Sequence, residues 1–310
     1  MAGSMSATLP WLWIPIVLWA ALAQTARNAA QRSRAGDQGA LGATLARFLY
    51  GLPFAAAWVL LLHALPGTAA PVPGFSLSWA AWLLLGAVSQ LAATAFLLAA
   101  MKQRSFVVGV AFSKTDALQV ALFATLFLRE LPGWLTMLAI GLATAGVVLL
   151  SIPSRGAGAA SFDWTGGAAL WGLASGAGFA MSAVGYRGAA LALPEASPWM
   201  AGAWGVLCAQ AVQTVLLGGW LAWRSPASLR ATAAAWRVST AAGAMGALAS
   251  IGWFTAFALT TAANVRTLGL AEVVFSYLVS RRLLREKLAP LETLGLALVI
   301  AGLLAMFATL

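Results

Sequence analysis

The chain has 310 residues, 62% of them hydrophobic and only 8% charged, against roughly 25% charged in a soluble domain. So few charges exclude a water-facing globular surface and place the chain among integral membrane proteins. The net charge of +10 comes from Lys and Arg scattered at the ends of apolar runs, a pattern of orientation-setting loops and anionic-lipid contact, not of a nucleic-acid face.

Read in chain order, the first apolar run covers 10–30. It lacks the basic leader of a signal peptide, and Gln24, Arg27 and Asn28 interrupt it where a cleavage site would fall. The spacing of Gln24, Arg27, Asn28 and Gln31 puts them on one helical face. That face is either a cavity entrance or the solvated end of a helix. Runs 40–63 and 78–101 follow, separated by Pro66, Gly67, Pro71, Pro73 and Gly74. His63, the single histidine, closes the second run at the interface, and Gln90 and Thr94 form an i,i+4 polar pair on the third.

The fourth run, 105–128, carries Lys114, Asp116 and Gln119 and ends in FLREL, Phe127 to Leu131. Pro132 then restarts the fifth, 133–152, since proline suits a first helical turn. Residues 154–163 read as the mid-chain linker. Runs 165–191, 198–222, 236–260, 263–284 and 290–309 complete ten apolar helices. Ser182 and Tyr186 on the sixth, Trp253 on the eighth, and Asn264, Ser276 and Tyr277 on the ninth are further candidate lining groups. Many of the 15 tryptophans, among them Trp11, Trp13, Trp79, Trp134, Trp164, Trp199, Trp220, Trp223 and Trp236, lie near helix ends as an interfacial belt. Cys208 stands alone, so no intrachain disulfide can form, and the chain offers no His/Cys cluster for zinc or haem. No cofactor is expected.

The Arg-Glu ending recurs. Phe127-Leu-Arg-Glu-Leu131 has its echo in Leu283-Leu-Arg-Glu-Lys287, 156 residues downstream. At that shift Leu128, Arg129, Glu130, Leu135, Leu138, Leu142, Ala145 and Gly146 match Leu284, Arg285, Glu286, Leu291, Leu294, Leu298, Ala301 and Gly302. Asp116 falls opposite Glu272. The chain therefore reads as an all-α membrane protein of two five-helix halves, 1–155 and 156–310. An odd number of helices per half inverts the second half relative to the first, a plan of secondary transporters with the substrate site at the midplane. Gly141 and Ala145, with Ala297 and Ala301 at the equivalent places, offer small-xxx-small faces for close helix contact.

Ten helices in two halves resemble the drug/metabolite transporter superfamily, EamA-like branch. So do Arg47-Phe48 early in the second helix, the Leu-Arg-Glu ends of the fourth and ninth, and the Ala-Gly late in the fifth and tenth. The resemblance covers nearly the whole chain. It implies a multi-pass protein of a bacterial inner membrane that moves a small metabolite by alternating access. It names no substrate and carries few functional residues over.

Charges at bilayer depth are costly and mark functional candidates. Lys114 lies nine residues into its run, about 13 Å deep at the helical rise; Asp116 follows, and Glu272 sits at similar depth in the ninth. Two readings stand. Lys114 attracts a substrate carboxylate or phosphate while an acid holds an amine or a proton, or Lys114 forms a structural ion pair with Glu272 or Asp116. Arg129-Glu130 and Arg285-Glu286, at helix ends, read as structural or gating elements.

Loop charges favour the side bearing Arg32, Arg34, Lys102, Arg104, Arg155, Arg224, Arg230, Arg237, Arg281, Arg282, Arg285 and Lys287, with only Arg129, Arg187 and Arg266 on the other. The positive-inside rule then sets both termini outside, whereas the resemblance implies cytoplasmic termini. Three functions compete: a secondary transporter, exporting a small polar or zwitterionic metabolite with protons as a candidate coupling ion; a membrane enzyme for lipid-linked substrates; and a non-transporting subunit. No P-loop supports ATP drive, no His, Cys or carboxylate cluster supports the enzyme, and buried charges argue against a scaffold.

Overall fold

The computed structural model describes residues 10–32, 39–65, 71–102, 112–151, 167–284 and 290–308. They are overwhelmingly helical, with no strand among them. Helix α1 is Trp13–Arg32, α2 Gly39–Leu49, α3 Leu52–Ala64 and α4 Leu77–Met101. Helix α5 is Asp116–Phe123, which runs on as a π turn over Ala124–Leu128, and α6 is Trp134–Leu150. In the second half α7 is Gly167–Leu191, α8 Pro198–Arg224, α9 Pro226–Ala234, α10 Trp236–Leu259, α11 Ala262–Gly269, α12 Ala271–Leu284 and α13 Pro290–Phe307. Among the described residues six segments are long and apolar enough to cross a membrane: 40–64, α4, α7, α8, α10 and α13; 116–128 and α6 are shorter apolar helices. The protein is a multi-pass membrane protein.

Each apolar run contains helix among the described residues, but α9 lies between the seventh and eighth runs and was not expected. The starts follow local chemistry. Ser76 accepts the N–H of Trp79 at 3.1 Å to open α4, and Ser197 accepts that of Met200 at 3.3 Å before Pro198. Thr261 accepts that of Asn264 at 3.3 Å to open α11.

Three runs are not continuous helices, and this corrects the sequence reading: the second breaks at Tyr50-Gly51, between α2 and α3. In the fourth, Lys114 and Thr115 form a turn and α5 starts afresh at Asp116. In the ninth, α11 stops at Gly269, Leu270 forms a turn and α12 starts at Ala271. The fourth and ninth share a physical logic. Each acid, Asp116 and Glu272, sits in the first turn of a new helix, where unpaired N–H groups and the dipole favour negative charge. These two breaks occupy equivalent places in the 156-residue alignment. The π turn of the fourth run ends at Arg129, a non-glycine residue in the left-handed region (φ 57°), and Glu130 returns its N–H to the carbonyl of Ala124 at 3.1 Å.

The predicted small-residue faces are also corrected. Gly141, Ala145, Ala297 and Ala301 are exposed, and a Cβ on Gly141 would touch nothing. The contact between α6 and α13 forms one residue further round each helix. A Cβ on Gly146 would meet the carbonyl of Gly295 at 2.5 Å, and one on Gly302 the carbonyl of Ala139 at 2.7 Å. Gly146 and Gly302 stand at matching places in the 156-residue alignment. Helix α4 packs on α7 and α1 on α10, so the third apolar run lies on the sixth and the first on the eighth. The belt of tryptophans is partial. Trp11, Trp134, Trp220, Trp223 and Trp236 are exposed, but Trp13 and Trp79 are buried in the core.

Candidate functional site

The core encloses a cavity of about 620 Å³, counting its open mouth. Its wall comes from seven helices. Gln24 and Arg27 belong to α1, Arg47 and Phe48 to α2, Gln90 to α4, Ser182 and Tyr186 to α7, and Gln210 and Gln213 to α8. Ser250, Trp253, Phe254 and Phe257 of α10 and Arg266 of α11 close it. Residues from both sequence halves therefore face one space, whose floor is aromatic and whose walls are cationic and amide-rich.

Two charge pairs stand beside it, and each joins the broken fourth run to the broken ninth. Lys114 Nζ meets Glu272 Oε1 at 2.8 Å, and the guanidinium of Arg266 donates to Asp116 Oδ2. The fourth run gives a cation and an acid, and the ninth gives an acid and a cation. Asp116 is 2% exposed, so its charge depends on Arg266 for compensation. Gln24 Nε2 donates to the second oxygen of Glu272, and Gln24 Oε1 accepts the indole N–H of Trp253 at 3.1 Å. Arg266 in turn lies 5.9 Å from the centre of the Trp253 ring, within cation–π range. A chain of contacts thus links Lys114 through Glu272, Gln24 and Trp253 to Arg266.

A second network crosses the far wall. Gln90 Oε1 accepts from Tyr186 Oη at 2.9 Å and from Gln213 Nε2 at 2.6 Å, and Tyr186 lies on Phe254, ring centroids 4.2 Å apart. Arg47 sits over the ring of Phe48 at 4.4 Å. The stems of Arg27 and Arg47 share the bare face of Gly246: a Cβ there would meet Arg47 Cγ at 2.9 Å and Arg27 Cδ at 3.6 Å.

At one end of the bundle a third pair ties helix ends together. Arg187 Nε donates to Glu130 Oε1 at 2.7 Å, and Arg187 also donates to the carbonyls of Phe257 at 2.8 Å and Ala258 at 3.3 Å. The other oxygen of Glu130 accepts the N–H of Ala262, the first residue of α11, at 3.3 Å. This clamp joins the ends of α7 and α10, the start of α11 and the segment after α5.

Of the residues expected from sequence, Gln24, Gln90, Tyr186 and Trp253 line the cavity, and Lys114, Asp116 and Glu272 form the adjoining charge pairs. Thr94 returns its hydroxyl to the carbonyl of Gln90, Gln119 donates to Thr115 Oγ1 at 3.0 Å, and Asn264 donates to Thr260 Oγ1 at 3.1 Å. These three, and Tyr277 on α12, are not part of the cavity wall. The side chain of Asn28 and the second pair, Arg285-Glu286, lie outside the described residues. Arg47, Arg266, Gln210 and Gln213 were not singled out as ligand-facing groups. Arg47 entered only with Phe48 as part of the family resemblance, and Arg266 only as a loop charge. Gln210 and Gln213 had a signal: two amides three apart inside an otherwise apolar helix.

Residues 166–308 match the model of the EamA-like transporter family, part of the drug/metabolite transporter superfamily. A solved chain described only as "Crystal structure of protein" is similar over 96% of this chain and 99% of its own, with a TM-score of 0.69 at 16% identity. It shares the fold. No curated protein matches.

Proposed function

We propose that this chain, whose residues 166–308 match the model of the EamA-like transporter family, is a secondary active transporter that exports a small polar or zwitterionic metabolite, amino acids being candidates. It works by alternating access between two inverted five-helix halves, 1–155 and 156–310, that cross a bacterial inner membrane ten times. The reciprocal breaks carry this reading. Helices interrupted beside a cavity, in matching places of two halves, are what transporters use to present helix ends and charges to a substrate.

The chemistry of the cycle follows from the contacts. The clamp of Arg187, Glu130 and the start of α11 closes the end of the bundle where α7 and α10 stop. Opening that end requires this clamp to release as a unit, because removing one member leaves the others uncompensated at low dielectric. Asp116 and Glu272 are the groups through which a proton couples. A proton on Glu272 removes the charge that holds Lys114, and one on Asp116 does the same for Arg266. Each event unties the fourth run from the ninth and lets the halves move.

The test is efflux. Proteoliposomes loaded with a mixture of amino acids, carboxylates, phosphate esters and amines are diluted and their contents quantified by mass spectrometry. Wild-type vesicles should lose one class faster than vesicles carrying Glu272→Gln. Equal retention in wild-type and protein-free vesicles contradicts the proposal.

A further inference from the structure

The charges around the cavity do not balance. Among the described residues Arg47 and Arg266 line it and Lys114 adjoins it, against the two carboxylates Asp116 and Glu272. Both carboxylates are already engaged, one by Arg266 and one by Lys114 and Gln24. Arg47 forms no ion pair with a described carboxylate and lies over Phe48 instead. It shares the face of Gly246 with the stem of Arg27. A cation at membrane depth without an opposing charge is costly in a low-dielectric setting.

A separate observation points the same way. Gln210, 2% exposed and part of the cavity wall, has neither amide atom hydrogen-bonded. A buried amide without partners pays its desolvation with no hydrogen bond in return. Its oxygen stands close to Gly51, just past the end of the helix that carries Arg47. A donor without an acceptor thus lies at the arginine wall.

We infer that Arg47, with Gln210, is an anion subsite, and that the transported metabolite carries a carboxylate or phosphate which docks there. The inference rests on the transporter reading and names its substrate class. The aromatic groups Phe48, Trp253 and Phe254 face the same space and would pack the remainder of the molecule. A planar guanidinium suits either oxyanion, since two N–H groups reach two oxygens at once.

The experiment compares four-carbon probes of matched length in thermal-shift assays of the full chain in neutral phosphatidylcholine nanodiscs. Succinate is doubly negative, succinamide neutral and putrescine doubly positive; glycerol 3-phosphate and inorganic phosphate cover the other oxyanion. The expected result is stabilisation by succinate or by the phosphates, and none by succinamide or putrescine. Arg47→Gln should weaken that anion binding at least tenfold, and Arg47→Lys should restore part of it. Stabilisation by putrescine or succinamide equal to that by the anions overturns the inference, as does no response to any probe. An anion response that Arg47→Gln leaves unchanged also overturns the site. The wild-type comparison decides the class even where a variant fails to fold. Adding phosphatidylglycerol distinguishes the sources of the anion: stabilisation by this lipid and by none of the soluble probes makes the ligand a headgroup and overturns a soluble metabolite. Binding without efflux of the same anion from proteoliposomes keeps the subsite and removes the transporter reading.

Discussion

Both oxygens of Glu272 are committed, one to Lys114 at 2.8 Å and one to Gln24. Removing Lys114 therefore leaves an acid beside the cavity with only an amide to compensate it. The side chain of Lys114 is 33% exposed, so the cost falls below the 3–5 kcal/mol of a fully buried pair, at about 1–3 kcal/mol. Lys114→Met and Glu272→Gln should each lower stability by that amount, and the double variant should lose less than their sum; additive losses in denaturation of the purified protein would contradict the pair. Asp116→Asn should cost more than Glu272→Gln, because Asp116 is the more buried acid and its loss leaves the Arg266 guanidinium unmatched. Lys114, Asp116 and Glu272 were legible in the sequence because a charge inside an apolar run has few innocent explanations. Arg266 was not, because its partner lies 150 residues away and its position close to the start of a run resembles a loop charge. Gln210 was missed although it stands three residues from Gln213 in an apolar helix; only the fold shows that its polar atoms are buried without hydrogen-bond partners.

At the scale of helices, α6 and α13 touch through glycine. Gly146→Leu or Gly302→Leu should separate them, since a Cβ at either already stands 2.5–2.7 Å from a backbone oxygen, and overpacking of this kind costs about 1–3 kcal/mol. Gly141→Leu, with nothing near its Cβ, should change stability by no more than about 0.5 kcal/mol. The yield of folded protein in detergent chromatography measures both, and an equal loss at Gly141 and Gly146 would refute the contact. The repeat pointed to Gly146 and Gly302 as equivalents, yet the small-xxx-small rule selected the residues just before them. Composition alone cannot choose between neighbouring faces of an apolar helix, because lipid and protein interior reward the same side chains. The breaks at Lys114-Thr115 and Leu270 were hidden for a related reason. Neither run contains proline there, and a helix interrupted for the sake of a charge at its new N-terminus keeps an unbroken apolar pattern.

Across the whole molecule, composition and hydrophobic run length gave the helical class and nearly every helix limit, because a bilayer sets both the apolarity and the length of what crosses it. What they did not give is which helices enclose the cavity. That depends on α4 lying on α7 and α1 on α10, pairings between halves that leave no local mark. The clamp of Arg187, Glu130 and Ala262 belongs to this scale, since it ties together four elements at one end. Arg187→Ala should shift the protein toward opening at that end while leaving the cavity wall intact.

The direct measurement of the central claim needs no substrate. Cys208, the single cysteine, is replaced by serine, and Ser182 in the cavity wall by cysteine. Labelling by a membrane-impermeant thiol reagent is then followed from each face of oriented vesicles, with and without Arg187→Ala. The account predicts reaction from both faces, with Arg187→Ala raising the rate from the side where α7 and α10 end and lowering it from the other. Reaction from one face alone, unchanged by Arg187→Ala, would contradict alternating access through this cavity.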